Sequence, residues 1–327
     1  MHQATPFSLS PLSRGFVGAK PIEFAPDSLF EELEARHDLL IERKRNGHAG
    51  YVTLTGARRR ARIYSRGVNE LTANFPHLVE GLRNLRIPEE TLLAGEMFVQ
   101  AGGIDSPEIF SRFARSKREK SLALQREYAP VHLALFNVIV YRGTSVVHYP
   151  YADRLDMLEE MAIAGPAGNV RVVDVLNYPF ARAKEMSIAG KWEGLVLYDR
   201  KAGSEYRLDG RIDQTPRPEG VWKWKDYLEG DFVATGWIPS TASSHFGCVK
   251  DLTIAQYDRK RGELVDWGRI GVGLSKQDRI DYMNDALYPM VFEIKFERTT
   301  TNNRLIHGRI MRRRLDKAPE ECVTPEF

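Results

Sequence analysis

Cysteine is scarce in this chain: Cys248 and Cys322 are the only two among 327 residues. They provide neither a disulfide framework nor the ligand spacing of a zinc site, and they fit a reducing compartment. No apolar run approaches the ~18 residues that a membrane span requires. Met1–Pro11 has no charged segment leading into an apolar one, so no signal peptide is expected. There is no internal repeat and no low-complexity segment. His245 and His307 have no partners at metal-ligand spacing, and no Ser-His-Asp or Cys-His arrangement is readable. Gly271-Val272-Gly273 lacks a GxGxxG continuation and a surrounding βαβ unit, so it reads as a sharp turn rather than a phosphate loop. Excess charge is also small, at +3.

What is present is a globular composition, 43% hydrophobic, in a chain long enough for two or three domains. Residues 1–20 form a polar arm without periodicity. Ser28 and Glu31 have capping-box spacing, which predicts a helix over 28–36. Strands are expected at 39–42, 51–55, 61–65, 92–99, 131–141, 170–175, 195–198 and 221–225. Helices are expected at 72–85, interrupted early by Pro76, at 107–127 as one long element, and at 151–163 and 180–188. Residues 201–220 read as a surface loop. Near Gly230 the character changes to short β segments at 232–237, 249–257, 263–272, 290–297 and 305–312, with one helix at 276–285. Five strands with one inserted helix suit a small closed or partly closed barrel of the OB type.

Glu42-Arg43-Lys44-Arg45-Asn46-Gly47 carries the most chemistry. It sets a lysine between a strand end and a glycine turn. A lysine attacks only as the free amine, so neighbouring cations or burial must favour that form. Glu96 and Glu193 each sit beside a glycine in an apolar strand, where a carboxylate needs a partner or a metal. Trp222-Lys223-Trp224-Lys225 alternates, so its lysines share one strand face and its tryptophans the other. Phe136 lies within an apolar run, as a core residue or a ring that stacks on a purine. Basic residues cluster at Arg58, Arg59, Arg60 and Arg62, at Lys117, Arg118 and Lys120, and at Arg312, Arg313 and Arg314. Such clusters serve as solvated faces or as phosphate contacts.

The order of these pieces resembles the ATP-dependent DNA ligases, over roughly residues 25–320. Tyr64-Ser65-Arg66-Gly67, Ala94-Gly95-Glu96, Glu193-Gly194-Leu195-Val196, Trp222–Lys225 and Arg309–Glu320 fall in the family's sequence. The resemblance implies an α+β nucleotidyltransferase domain of ATP-grasp-like ligase adenylation type over 1–229, followed by an OB-fold domain over 230–327. It implies that Lys44 accepts AMP from ATP with Mg²⁺, and that Lys223 and Lys225 contact the α-phosphate. Glu42 would help read adenine, Phe136 would stack on it, and Glu96 would hold the ribose. Glu193, with Glu96, would serve the metal. Arg66 would contact the 5′-phosphate of a nick, while Arg314 and Lys317 would orient the pyrophosphate. Arg58, Arg59, Arg60 and Arg312 would join Arg66 on nucleic acid. The implied partner is nicked duplex DNA, bound by a monomer with no membrane association, in the cytoplasm of a bacterial or phage-infected cell.

The chain departs from the family at Asn46 and Ala94, where aspartate is usual, and at Ala49, where arginine is usual; a spatial substitute for the last would be expected from the Arg58–Arg62 cluster. An RNA ligase, a guanylyltransferase of the capping type and a nick-binding protein without catalysis are the alternatives.

Overall fold

The computed structural model describes residues 19–23, 25–55, 60–162, 168–203, 217–242, 246–300 and 302–324. The chain splits into two compact units, Met1–Lys225 and Asp226–Phe327. Among the described residues no helix is long and apolar enough to cross a membrane.

The first unit opens with β1 (Ile22–Glu23), α1 (Asp27–Ala35), β2 (Leu39–Lys44), β3 (His48–Thr55), β4 (Arg60–Ser65), α2 (Pro76–Asn84) and β5 (Thr91–Phe98). A short hairpin of β6 (Gln100–Ala101) and β7 (Ile104–Asp105) leads into α3 (Pro107–Arg115) and α4 (Arg118–Glu127). Then come β8 (His132–Tyr141), β9 (Thr144–Ser145), α5 (Tyr151–Ala162), β10 (Val170–Val172), α6 (Phe180–Ala189), β11 (Gly194–Asp199) and β12 (Val221–Trp224). Two sheets result. One has the order β1-β12-β11-β2; the other runs β10-β8-β5-β3-β4, with β9 added to β8.

Consecutive strands β2 and β3 belong to different sheets. Residues 45–47 are therefore a crossover between sheets and not a hairpin turn. The outer face of the four-stranded sheet buries Ile41, Leu195 and Leu197 against Phe30 of α1 and Phe180 of α6. Trp222 meets Phe30 edge-on at 5.7 Å, and Trp224 meets Phe180 at 6.5 Å between ring centroids. The six-stranded sheet buries Val52, Ile63, Leu93 and Leu133 against Phe75, Leu82, Phe113 and Leu158. Fully burying one such side chain contributes about 2 kcal/mol, so these two layers fix the sheets as rigid walls.

Three expectations need correction. Residues 107–127 are two helices, because Ser116 and Lys117 are extended (ψ 152° and 155°). Asn74 Nδ2 donates to the carbonyls of Phe113 (3.1 Å) and Ser116 (3.0 Å) and so satisfies the end of α3. The first helix is entered from Pro26 with no side-chain cap; Ser28 lies inside it. The segment 305–312 is broken by His307 at φ 52° into two strands.

The second unit holds β13 (Leu228–Pro239), β14 (Val249–Tyr257), β15 (Leu264–Ile270), α7 (Lys276–Asp281), β16 (Met290–Phe296), β17 (Arg298–Thr299), β18 (Leu305–Ile306) and β19 (Arg309–Arg313). Ser275 and Asp278 form a reciprocal capping box that starts α7, which ends at Asp281, four residues earlier than expected. The main sheet is antiparallel in the order β15-β14-β13-β16-β19. No ladder joins its two edges among the described residues, but the Ile310 amide donates to the Val272 carbonyl at 2.9 Å. Phe232, Trp267, Phe292 and Ile294 fill the interior of this unit.

Candidate active site

The period of two along a strand puts Glu42 and Lys44 of β2 on one face, and Trp222 and Trp224 of β12 on the other side of the sheet from Lys223. That inner face and the facing side of the six-stranded sheet enclose a cavity of about 600 Å³. Lys44, Arg66, Glu96, Phe136 and Lys223 line it together with Glu42. Its size suits a nucleotide-sized ligand.

Two glycines make this geometry. Gly194 has φ +142°, and a Cβ there would lie 2.1 Å from the Trp224 carbonyl oxygen. Its absence lets β11 and β12 close up, which brings Glu193 to Lys225. At the crossover, a Cβ on Gly47 would lie 2.1 Å from the Met97 carbonyl oxygen. Only glycine lets the chain leave Lys44 and pass so close to β5.

Glu193 is the hub. Its Oε2 accepts from Lys44 Nζ, and its Oε1 lies 2.9 Å from Lys225 Nζ. Burial alone would raise this carboxyl, but Lys44 and Lys225 overcome it and hold the group below the ordinary carboxylate range. Glu96 opens onto the cavity beside Ala49, its register partner. Desolvation pushes its carboxyl up to about 8, against the pull of Lys44 and with the push of Glu193. Glu42 is 2% exposed. Burial drives it up to about 8, and the Tyr151 hydroxyl donates to its Oε1. Tyr151 stacks on Tyr198 at 3.7 Å and 6°, and its hydroxyl also lies 3.0 Å from the Phe136 carbonyl oxygen.

The remaining residues fall less tightly. Lys223 forms an ion pair with Glu23, its register partner on β1. Arg66 follows Ser65, which is paired with Gly50, so it sits at the end of the hairpin that carries Ala49. Arg60 pairs with Thr55 at the opposite end, six residues along β3 and so roughly 20 Å from Ala49. It does not replace the arginine missing at position 49. Arg58 and Arg59 lie outside the described residues. Ala94 is buried at 1% beside Tyr51 and Tyr64. In the second unit Arg314 and Lys317 both bond Asp231, at 3.2 and 2.7 Å, and Arg312 bonds Glu293 at 2.8 Å. These three belong to a separate cluster.

Sequence reasoning did not single out Glu23, Lys20, Arg217, Asp105, Tyr151 or Tyr198. Lys20 and Arg217 also line the cavity. Burial, then the charges of Arg66, Arg217 and Lys223, lower the Lys20 ammonium. Tyr198 lies in the continuous apolar run Leu195-Val196-Leu197-Tyr198, which reads only as a buried strand, and the others are brought in by long-range pairing. No group of three or more His, Cys, Asp or Glu able to hold a metal occurs among the described residues.

Residues 19–215, more than half of the chain, match the model of the ATP-dependent DNA ligase domain. The chain belongs to that family. Among curated ligase relatives, the DNA ligase of Thermococcus fumicolans is 28% identical over 240 residues, covering 70% of this chain and 40% of that protein. The DNA ligase of Methanopyrus kandleri is 26% identical over 295 residues, covering 81% and 50%. This ligase-family chain thus spans about half or less of the length of those relatives. A solved Lig E DNA ligase superposes with a TM-score of 0.58 at 17% identity, covering 91% of this chain and 99% of that one. The ligase domain of Mycobacterium tuberculosis LigD gives 0.51 at 22% identity, covering 96% and 99%. These likenesses show the mixed α+β fold of ATP-dependent ligase adenylation domains.

Proposed function

We propose that the chain is an ATP-dependent DNA ligase that seals 5′-phosphate/3′-hydroxyl nicks through a lysyl-AMP intermediate. The observation that carries this reading is Lys44: its ammonium is held by Glu193 at the wall of a nucleotide-sized cavity, with Lys225 on the same carboxylate. In the first step Lys44 releases one proton to solvent to become the free amine, its Nζ bonds to the α-phosphorus of ATP as the bond to the bridging oxygen breaks and pyrophosphate leaves, and Nζ then gives up a second proton to solvent. Glu193, held below the ordinary carboxylate range, is a poor base and acts by orienting Lys44 Nζ. Glu96, which lines the same cavity, holds the ribose. Lys223 and Lys225 stabilise charge on the α-phosphate. Phe136 stacks on adenine, and Glu42, fixed by Tyr151, reads its edge. AMP then passes to the 5′-phosphate, held by Arg66, and the 3′-hydroxyl displaces it.

Mg²⁺ usually takes one or two carboxylates and leaves its other positions to water and substrate phosphates. Glu96, which lines the cavity, and Glu193, joined to its wall through Lys44, are carboxylates that fit that requirement. A bound ion would neutralise phosphate charge there. The second unit is read as an OB-type barrel, supported by five antiparallel strands, α7 between β15 and β16, and the Ile310–Val272 bond across its edges. Its Arg314 and Lys317 would orient pyrophosphate. Arg60 and Arg312, with Arg58 and Arg59, would contact DNA phosphates, with an affinity that falls with salt. The protein acts as a monomer in this reading.

The test is intact-protein mass after incubation with Mg²⁺ and ATP or GTP, on protein first stripped with pyrophosphate. A gain of one AMP with ATP alone is expected. A gain of GMP moves the reading to a capping-type guanylyltransferase. No gain with either nucleotide leaves a nick-binding protein. Comparing nicked DNA with nicked RNA as acceptor then separates the DNA ligase from the RNA ligase.

A further inference from the structure

Asp105 stands outside the residues assigned above, yet it is tied to both flanks of the nucleophile. Its side chain is 4% exposed. Its Oδ2 accepts from the backbone amide of Asn46 at 3.1 Å. Its Oδ1 accepts from Gln100 Nε2 at 3.2 Å and lies 3.6 Å from both Arg43 Nη2 and Arg45 Nη1. Residues 43, 45 and 46 bracket Lys44, and one carboxylate engages all three.

The carboxylate is itself firmly placed. Asp105 closes the β6–β7 hairpin and precedes Ser106, whose hydroxyl caps α3 and whose amide donates to the Val99 carbonyl at 2.8 Å. The crossover it holds has no sheet ladder of its own, since β2 and β3 lie in different sheets. The need for a counter-charge is plain. Arg43 Nε and Arg45 Nη1 are buried without a hydrogen-bond acceptor among the described residues. The Arg45 guanidinium also sits over the Phe98 ring at 4.7 Å, with Arg171 at 5.4 Å from the same ring. Burial, then Arg43 and Arg171, draw Arg45 down to about 10.

We propose that Asp105 is the positioning residue of the nucleophile: it clamps the crossover after Lys44 and supplies from β7 the negative charge that Asn46 does not carry. It acts through the backbone and touches neither substrate nor reacting atom. This rests on the reading of Lys44 as the AMP acceptor, so the test has one readout that does not depend on catalysis.

Asp105→Ala and Asp105→Asn are compared with the wild-type chain. In protein without nucleotide, amide exchange at Asn46 should quicken at least ~10-fold in Asp105→Ala and stay near wild type in Asp105→Asn, whose amide oxygen still accepts. With ATP and Mg²⁺, adenylation at saturating ATP should fall ~10²-fold in Asp105→Ala, with half-saturation changed by less than ~3-fold, and recover only in part in Asp105→Asn, which restores the acceptor for the Asn46 amide but not the charge beside Arg43 and Arg45. Unchanged exchange in Asp105→Ala overturns the clamp. So does an Asp105→Asn protein as slow as Asp105→Ala, or a loss carried by half-saturation instead of rate. If Asp105→Ala does not fold, Asp105→Glu moves the same charge by one methylene, and wild-type values in both readouts overturn the proposal. If the wild type gains no AMP, the ligase reading fails, while exchange at Asn46 still decides the clamp.

Discussion

Two clusters of cations and carboxylates, one in each unit, show how the same contacts serve different ends. In the first unit, Lys44 and Lys225 share Glu193, with side chains 21%, 5% and 16% exposed. In the second, Arg314 and Lys317 share Asp231, with side chains 21%, 25% and 15% exposed, but the cluster runs out to Arg312 and Asp316, 63% and 67% exposed. Desolvated charges bind each other strongly and are costly to leave unpaired. Exposed ones are screened and can exchange partners. The first cluster suits fixed chemistry. The second suits groups that must let go of one anion and take another.

Breaking the buried cluster should have the largest effects. Lys44→Ala should abolish the AMP adduct altogether while the far-ultraviolet circular dichroism stays that of the wild type; an adduct that persists would remove Lys44 from its role. Glu193→Gln keeps the shape but discharges the hub. Adenylation should fall ~10²–10³-fold, as for loss of a preorganised electrostatic contact. A rate within tenfold of wild type across Mg²⁺ concentrations would mean that the carboxylate only fills space.

The Glu42 carboxyl sharpens the comparison through pH. Its folded value is about 8 against an ordinary 4.5, because it is buried. Between those values the folded chain keeps a proton that the unfolded chain has lost. Stability should therefore decline as pH rises from about 4.5 to 8 and level off above, by up to about 1.4 kcal/mol per pH unit from this group. Glu96 adds a slope of the same sign. Urea unfolding of Glu42→Gln across this range should show a shallower decline. An unchanged slope would place the titration elsewhere.

Most strands and the alternation of lysine and tryptophan over Trp222–Lys225 were legible because they depend on local period. Trp222-Lys223-Trp224-Lys225 encodes both the core and the site in four residues, and the packing on Phe30 and Phe180 follows from it. What was not legible came from distant partners. The break between α3 and α4 is sealed by Asn74, some forty residues earlier. Tyr151 reads locally as nothing more than the start of a helix, yet it fixes Glu42. Glu23 is delivered to Lys223 by a parallel pairing of two-residue length, too short to leave a periodic signal. The glycine turn after Lys44 was legible, but no local cue says that the strand following it joins another sheet.

The smallest expected effect tests the exposed cluster. Asp231→Ala removes the carboxylate shared by Arg314 and Lys317, while Asp316 still bonds Arg314 through two oxygens at 2.9 Å. Arg314 thus keeps a partner and Lys317 loses its own. Because such pairs are largely screened, the melting temperature should move by less than ~4 °C, and less again in 0.5 M salt. If these residues receive pyrophosphate, freeing Lys317 should leave adenylation within ~3-fold of wild type, since its ammonium, a quarter exposed, still reaches solvent. A loss comparable with that of Glu193→Gln would show that Asp231 is a fixed hub like Glu193, and that the contrast between the two clusters is one of exposure and not of role.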